Sequence, residues 1–153
     1  MKKLPKEYII VEIIPTHSNF KIGFIAQLQA LCIKDNIING RLDLRVNESL
    51  IENKDLLEMI SYDKEMFNYL KNGDELLKYF IEFVGKKKLL IIDNYYTRDY
   101  LKNISNKKES VFEYLDLEMT DDVFDKLIKK YQLKPSNHLV DLLYEALVFN
   151  IDN

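Results

Sequence analysis

The sequence predicts an α/β domain built on a mixed β-sheet flanked by helices, and three observations predict it. A short apolar run, YIIVEII at residues 8–14, and a second one, LLII at 89–92, read as strands buried on both faces. Two stretches after the first run alternate apolar and polar residues, the pattern of an antiparallel pair. The rest of the chain repeats apolar residues at three and four places, which is helical spacing. Strands and helices interleaved in this order bury their apolar faces by layering helices on a sheet.

Residues 8–14, rich in Ile and Val, are expected to form the central strand. GFIAQLQALCI alternates around Gln27 and Gln29. After the turn Lys34-Asp35-Asn36, IINGRLDLRV alternates again with Arg41, Asp43 and Arg45 on one side, so the two stretches form a hairpin with a tight connection. From Asn53 to Val84 the apolar positions Leu56, Leu57 and Ile60, then Met66, Tyr69 and Leu70, then Leu76, Leu77, Phe80, Ile81 and Val84 predict helices. Asn72-Gly73-Asp74 breaks and recaps the last of them, and Gly85 ends it. The run at 89–92 comes after the basic turn Lys86–Lys88 and is expected to lie parallel to the first strand. Further helices are predicted at Tyr96–Asn103, around Val111–Leu117, at Thr120–Tyr131 and at Asn137–Asn150. Thr120 serves as N-cap ahead of Asp121 and Asp122, and Pro135 separates the last two helices.

With 47% hydrophobic and 31% charged residues, 153 residues suffice for one ordinary core. Four glycines and three prolines provide no linker and no visible repeat, so residues 1–153 are expected to be a single domain. A net charge of −3 gives no global attraction to a polyanion, and any nucleic acid would have to meet a local basic patch. The lone cysteine, Cys32, excludes an internal disulfide and a multi-cysteine metal cluster, fits a reducing cytoplasm, and reads as a small apolar strand residue. MKKLPKEYIIVEII reaches Glu7 and Glu12 before a long apolar segment develops, which argues against a secretory signal, and no run is long enough for a membrane helix.

Ligands in such sheets collect where parallel strands end and helices begin. Those places hold Glu12, then Asp93 and Asn94, then His138 and Asp141. The order of elements, from YIIVEI through the hairpin, DLLEMISYDKEM, LLKYFIEFVG and LLIIDN to NHLVDLLYEAL, resembles the DEDDh exonucleases of the RNase H-like fold over roughly residues 8–150. The resemblance implies an RNase H-like fold and a 3′ to 5′ exonuclease ancestry. The family's first motif, Asp-x-Glu before Thr-Thr-Gly, falls on Glu12 and Ile14, and of the Thr-Thr-Gly only Thr16 has an echo here. Its second, His-Asn and then Phe-Asp, falls on LLIIDNYYTRDYL. That stretch keeps Asn94, has Asp93 for the histidine, and puts Arg98 where the acid belongs with Asp99 one position away. Its third, a histidine with an aspartate five residues later, keeps His138 but meets Leu143, with Asp141 two residues early.

In that family four carboxylates hold two divalent ions and the histidine acts as general base. Magnesium takes hard oxygen ligands, and isoleucine and leucine supply none. The resemblance therefore implies an exonuclease-like domain whose two-ion centre has lost most of its ligands, with Glu12 and His138 as vestiges of it. No cofactor is expected unless Mg²⁺ or Mn²⁺ is held by shifted ligands: Glu12, Asp99 and Asp141 as metal donors, with His138 beside them. Asn94, Tyr95, Tyr96 and Arg98 form the candidate nucleic-acid contact. Plainer roles exist for each: Glu12 reaching water from a strand end, His138 capping a helix, Asn94 holding a turn, the tyrosines packing, and Lys86–Lys88 a solvated turn. His17 stands alone and receives no role. Three functions are compatible with these residues: a noncatalytic domain binding single-stranded nucleic acid or a replication or repair protein, an active metal-dependent exonuclease with displaced ligands, or a scaffold that keeps only the fold. No membrane partner is expected.

Overall fold

β1 (Glu7–Pro15) lies inside the sheet, and the remaining strands are laid out from it. β2 (Ile25–Lys34) pairs with it antiparallel, β3 (Ile37–Arg45) pairs antiparallel with β2, and β4 (Leu89–Leu90) pairs parallel on the other side, giving the order β3-β2-β1-β4. The computed structural model describes residues 4–46, 51–59, 73–92, 95–108, 111–115, 119–133 and 139–152. The hairpin turns on Asp35 and Asn36, with φ of 52° and 63°. Positive φ at both loop residues matches the twist of the flanking strands, and Asp and Asn tolerate it best after glycine.

Alternation along β1 sends Ile9, Val11 and Ile13 to one core and Tyr8 and Ile10 to another. The first core is closed by α1 (Lys54–Met59), α2 (Gly73–Val84) and α3 (Tyr95–Lys108), through Leu56, Leu76, Phe80, Leu101 and Ile104. The second is closed by α4 (Asp121–Tyr131) and α5 (Leu139–Asp152), through Phe124, Val140, Leu143 and Leu147. Each fully buried aliphatic or aromatic side chain contributes about 1.5–3 kcal/mol. A strand holding several on both faces is therefore the most heavily stabilised segment of the sheet.

The hairpin, the parallel placement of β4 and the helix at Thr120 are as the sequence predicts. Thr120 Oγ1 accepts the Val123 N–H at 3.2 Å, and the helix ends on Gln132 in the left-handed region. α3 runs five residues beyond its expected end, because its last turns carry the good helix formers Lys107 and Lys108. The helix expected around Val111–Leu117 is not found over 111–115, where the chain is extended and Tyr114 bridges Leu89 in parallel. Leu89 N–H donates to Glu113 O and Leu115 N–H to Leu89 O, both at 2.8 Å. The outer edge of β4 needs backbone partners, and that tertiary demand overrides the weak local helical pattern. Residues 60–72 of the expected middle helices lie outside the described residues.

The loop after β1 is tied down at both ends. Phe24 N–H donates to Thr16 Oγ1 at 3.0 Å, Thr16 N–H to Phe24 O at 2.8 Å, and the Tyr100 hydroxyl of α3 to His17 O at 2.6 Å. Gly23 makes this approach possible, since a Cβ there would stand 2.6 Å from the Tyr100 hydroxyl and 2.7 Å from His17 Cβ. Gly23→Ala is expected to destabilise the protein by about 1–3 kcal/mol, the usual cost of overpacking a tight contact. A urea midpoint unchanged from wild type would show that the loop does not need this approach.

Candidate functional site

β1 and β4 run parallel and finish on the same side of the sheet, where α3, α4 and α5 begin. Glu12, near the end of β1, meets a small cavity of about 40 Å³ there, whose walls include Tyr96 and Thr97 from α3, Asp121 from α4, and Leu139 and Leu143 from α5. That volume has room for two or three waters at most. Among these side chains Glu12 and Asp121 supply the carboxylates, and most of the remaining wall is apolar.

The Glu12 carboxyl is poorly compensated. It accepts the backbone N–H of Leu139 at the start of α5, but its Oε2 is buried without a partner. Burial dominates, the single N–H opposes it, and the pKa is pushed up to about 7 from an ordinary value near 4.5. A neighbour in the same sheet register fares differently. Glu12 pairs with Gln29 of β2, which pairs with Asp43 of β3. Burial also pushes Asp43 up, but Arg45, Gln27 and Gln29 all hydrogen-bond to it and the net shift is downward. Gln27 Nε2 lies 3.0 Å from Asp43 Oδ1 and Arg45 Nη2 3.0 Å from Oδ2. Cation and amide donors reach the outer carboxylate and leave the central one with a single backbone donor.

The expected site residues divide. Glu12 and Tyr96 share the cavity, which Leu143 also lines, and Ile14 is a half-buried apolar residue. Asp99 is exposed on α3 and Asp141 is turned away: Arg41 grips it bidentately, Nη2 to Oδ1 at 2.6 Å and Nη1 to Oδ2 at 2.8 Å. This pair fastens α5 to β3, and it engages the carboxylate that a shifted metal site would require. Arg98 is exposed with its guanidinium 5.1 Å above the centroid of Tyr114. Tyr95 opens α3. Asp93, Asn94 and His138 lie outside the described residues.

Sequence reasoning misses Asp121, Thr97, Tyr114 and Arg41. Asp121 is visible only as an acid in the first turn of a helix, a placement that the helix dipole explains by itself. Arg41 and Asp141 are joined across 100 positions, which no local pattern marks. Among the described residues no group of three or more His, Cys, Asp or Glu is placed to hold a metal ion. The described donors around Glu12 therefore do not fit a pair of divalent cations, which need a cage of several oxygens.

A four-stranded mixed sheet between two helical layers, with its cleft at the carboxyl ends of β1 and β4, is an RNase H-like fold. Solved structures agree. A 3′-exonuclease described in 3′-end specific recognition of a histone mRNA stem-loop superposes with a TM-score of 0.67 at 11% identity, covering 96% of this chain and 81% of that one. Cell-death related nuclease 4 gives a TM-score of 0.55 at 9% identity, and 95% of this chain spans 64% of it. No family profile and no curated protein sequence matches the chain. No described helix is long and apolar enough to cross a membrane.

The raised Glu12 pKa has a definite consequence for stability. As pH rises from about 4.5 to about 7 the unfolded chain loses this proton while the folded chain keeps it, so stability falls across that interval and levels off above it. The loss is on the order of 2–3 kcal/mol, since each pKa unit is worth about 1.4 kcal/mol. Glu12→Gln, which cannot ionise, is expected to remove this contribution. Urea unfolding of both proteins at pH 5 and pH 8 measures it, and identical pH slopes would mean that Glu12 titrates normally.

Proposed function

We propose that this chain is a DEDDh-like exonuclease domain whose two-ion hydrolysis is silent and which works by binding single-stranded nucleic acid. The observation that carries the first half is the set of residues at the family's ligand positions. Where the resemblance puts the first metal-binding acid, the protein has a carboxyl that burial drives toward its neutral form, beside a cavity of about 40 Å³. At the positions of two further acids it has Ile14 and Leu143, both apolar, and at another it has the cation Arg98. Isoleucine and leucine offer a divalent ion no oxygen, and an arginine in place of an acid withholds a third donor.

The alternative with shifted ligands draws less support. Asp99 is exposed outside the cavity and Asp141 is paired with Arg41. The binding half is supported by the fold, whose structural relatives include a 3′-exonuclease described with an RNA stem-loop, and by the charge of α3. Between Tyr95 and Lys108 that helix carries Arg98, Lys102, Lys107 and Lys108 against one acid, Asp99. A local basic face of this kind is what a chain of net charge −3 needs in order to meet phosphates. Cytoplasmic residence and a single domain over residues 1–153 complete the reading.

Two measurements test it. A labelled single strand incubated with Mg²⁺ or Mn²⁺ is expected to stay intact with wild type and with Glu12→Ala alike. Metal-dependent shortening by wild type that the variant lacks would establish an active nuclease instead. The same strand is expected to bind at low salt and to be released as salt rises, because phosphate contacts free counterions. Absence of binding at low salt would leave only a scaffold role.

A further inference from the structure

An open groove of about 610 Å³ lies between α3 and the extended segment 111–114, on residues that do not line the Glu12 cavity. Arg98 and Lys102, both exposed, stand on its helical side four residues apart, roughly 6 Å along the axis. That interval is close to the repeat of phosphates along an extended strand. Ser105 and Asn106 continue the same side with hydrogen-bonding groups, and half-buried Tyr114 forms an aromatic side opposite, with Phe112 buried behind it against Phe80. No acidic residue lines the groove among the described residues.

The groove combines charge with flat surfaces. The Arg98 guanidinium carbon lies 5.1 Å over the Tyr114 centroid, within cation–π distance of the ring. Val111 at the same groove is 86% exposed, an apolar side chain left in water. An acidic peptide would use the cations but has no regular repeat of a planar ring beside each anion. An unpaired base would use the cations through its phosphates, the planar guanidinium by stacking, and the apolar surface for its ring. A duplex keeps its bases stacked inside and would offer this surface nothing to stack on.

We propose that this groove is the track for single-stranded nucleic acid, with successive phosphates at Arg98 and Lys102 and a base against the Arg98–Tyr114 stack. The proposal rests on the nucleic-acid reading above and names where the strand lies. It also places the strand on the outer face of α3, so that binding does not depend on the Glu12 carboxyl.

Fluorescence anisotropy with a labelled oligouridine, over a series of salt concentrations, tests it on the full chain. The double variant Arg98→Ala/Lys102→Ala is expected to bind roughly 5- to 150-fold more weakly, the range for losing one stacked base. Its slope of log affinity against log salt is expected to be shallower by about 1.4, two phosphates at about 0.7 each. Lys102→Glu, which leaves the Arg98–Tyr114 stack in place, weakens binding in the same direction, and thermal melts verify that each variant is folded. Lys129→Ala/Lys130→Ala makes the same change in charge on α4, beyond the opposite face of the sheet, and is expected to bind like wild type. If wild type binds but Arg98→Ala/Lys102→Ala keeps its affinity and slope, or Lys129→Ala/Lys130→Ala weakens binding equally, the groove is rejected while nucleic-acid binding stands. If wild type does not bind at low salt, both fall.

Discussion

The structure depends on the double coverage of β1. A strand with helices on both faces loses water along its whole length, and every side chain in it is judged by what the protein supplies in place of water. Ile9, Ile10, Val11 and Ile13 need nothing more than neighbours. Glu12 needs donors for four lone-pair sites and receives one N–H, from the first residue of α5. Its elevated pKa is therefore a consequence of fold topology, because any carboxyl at this position would be desolvated by the same layers. In a protein that places cations at the end of this strand, that cost is offset by charge. Here the arginines of β3 serve other acids: Arg45 serves Asp43, and Arg41 serves Asp141.

The fold is largely legible in the sequence because its signals are local. YIIVEII, the alternation around Gln27 and Gln29, the Asp35-Asn36 turn and the Thr120 cap each depend on residues within a few positions of one another, and each occurs where the pattern puts it. The segment at 111–115 departs from its local pattern for the opposite reason. Its extended form is imposed by Leu89, a residue 25 positions away whose backbone needs a partner. In the candidate site Glu12 is legible because a charge interrupts an apolar run. Asp121 is not, because an acid at a helix start has an ordinary explanation. The Arg98–Tyr114 stack is hidden for a combined reason: finding it requires knowing that 111–115 is extended and lies beside α3.

Charge is sorted around the sheet in a way that net charge conceals. The row Glu12, Gln29, Asp43 runs across three strands on the face covered by α4 and α5, and Arg41, Asp43 and Arg45 share that face on β3. Their cations are engaged by internal acids. The cations of α3 lie on the other helical layer, where Arg98 and Lys102 are exposed along a groove without an acidic wall among the described residues. Two populations of arginine thus do different work: Arg41 and Arg45 hold the hairpin and α5 in place, and Arg98 is presented outward on a tyrosine.

This sorting bears on how, in the proposed reading, an exonuclease-like fold would contact nucleic acid without a pair of ions. In a two-ion centre the metals both carry out hydrolysis and attract the phosphate, so loss of the ligands removes catalysis and affinity together. Affinity is retained only if phosphate contacts exist that do not pass through the metals. Cations on a helix outside the cleft meet that condition, since their charge is independent of Glu12 and unaffected by its protonation near neutral pH. In the proposed reading Glu12, uncharged for about half of the population near pH 7, would repel a strand bound nearby less than a full carboxylate would.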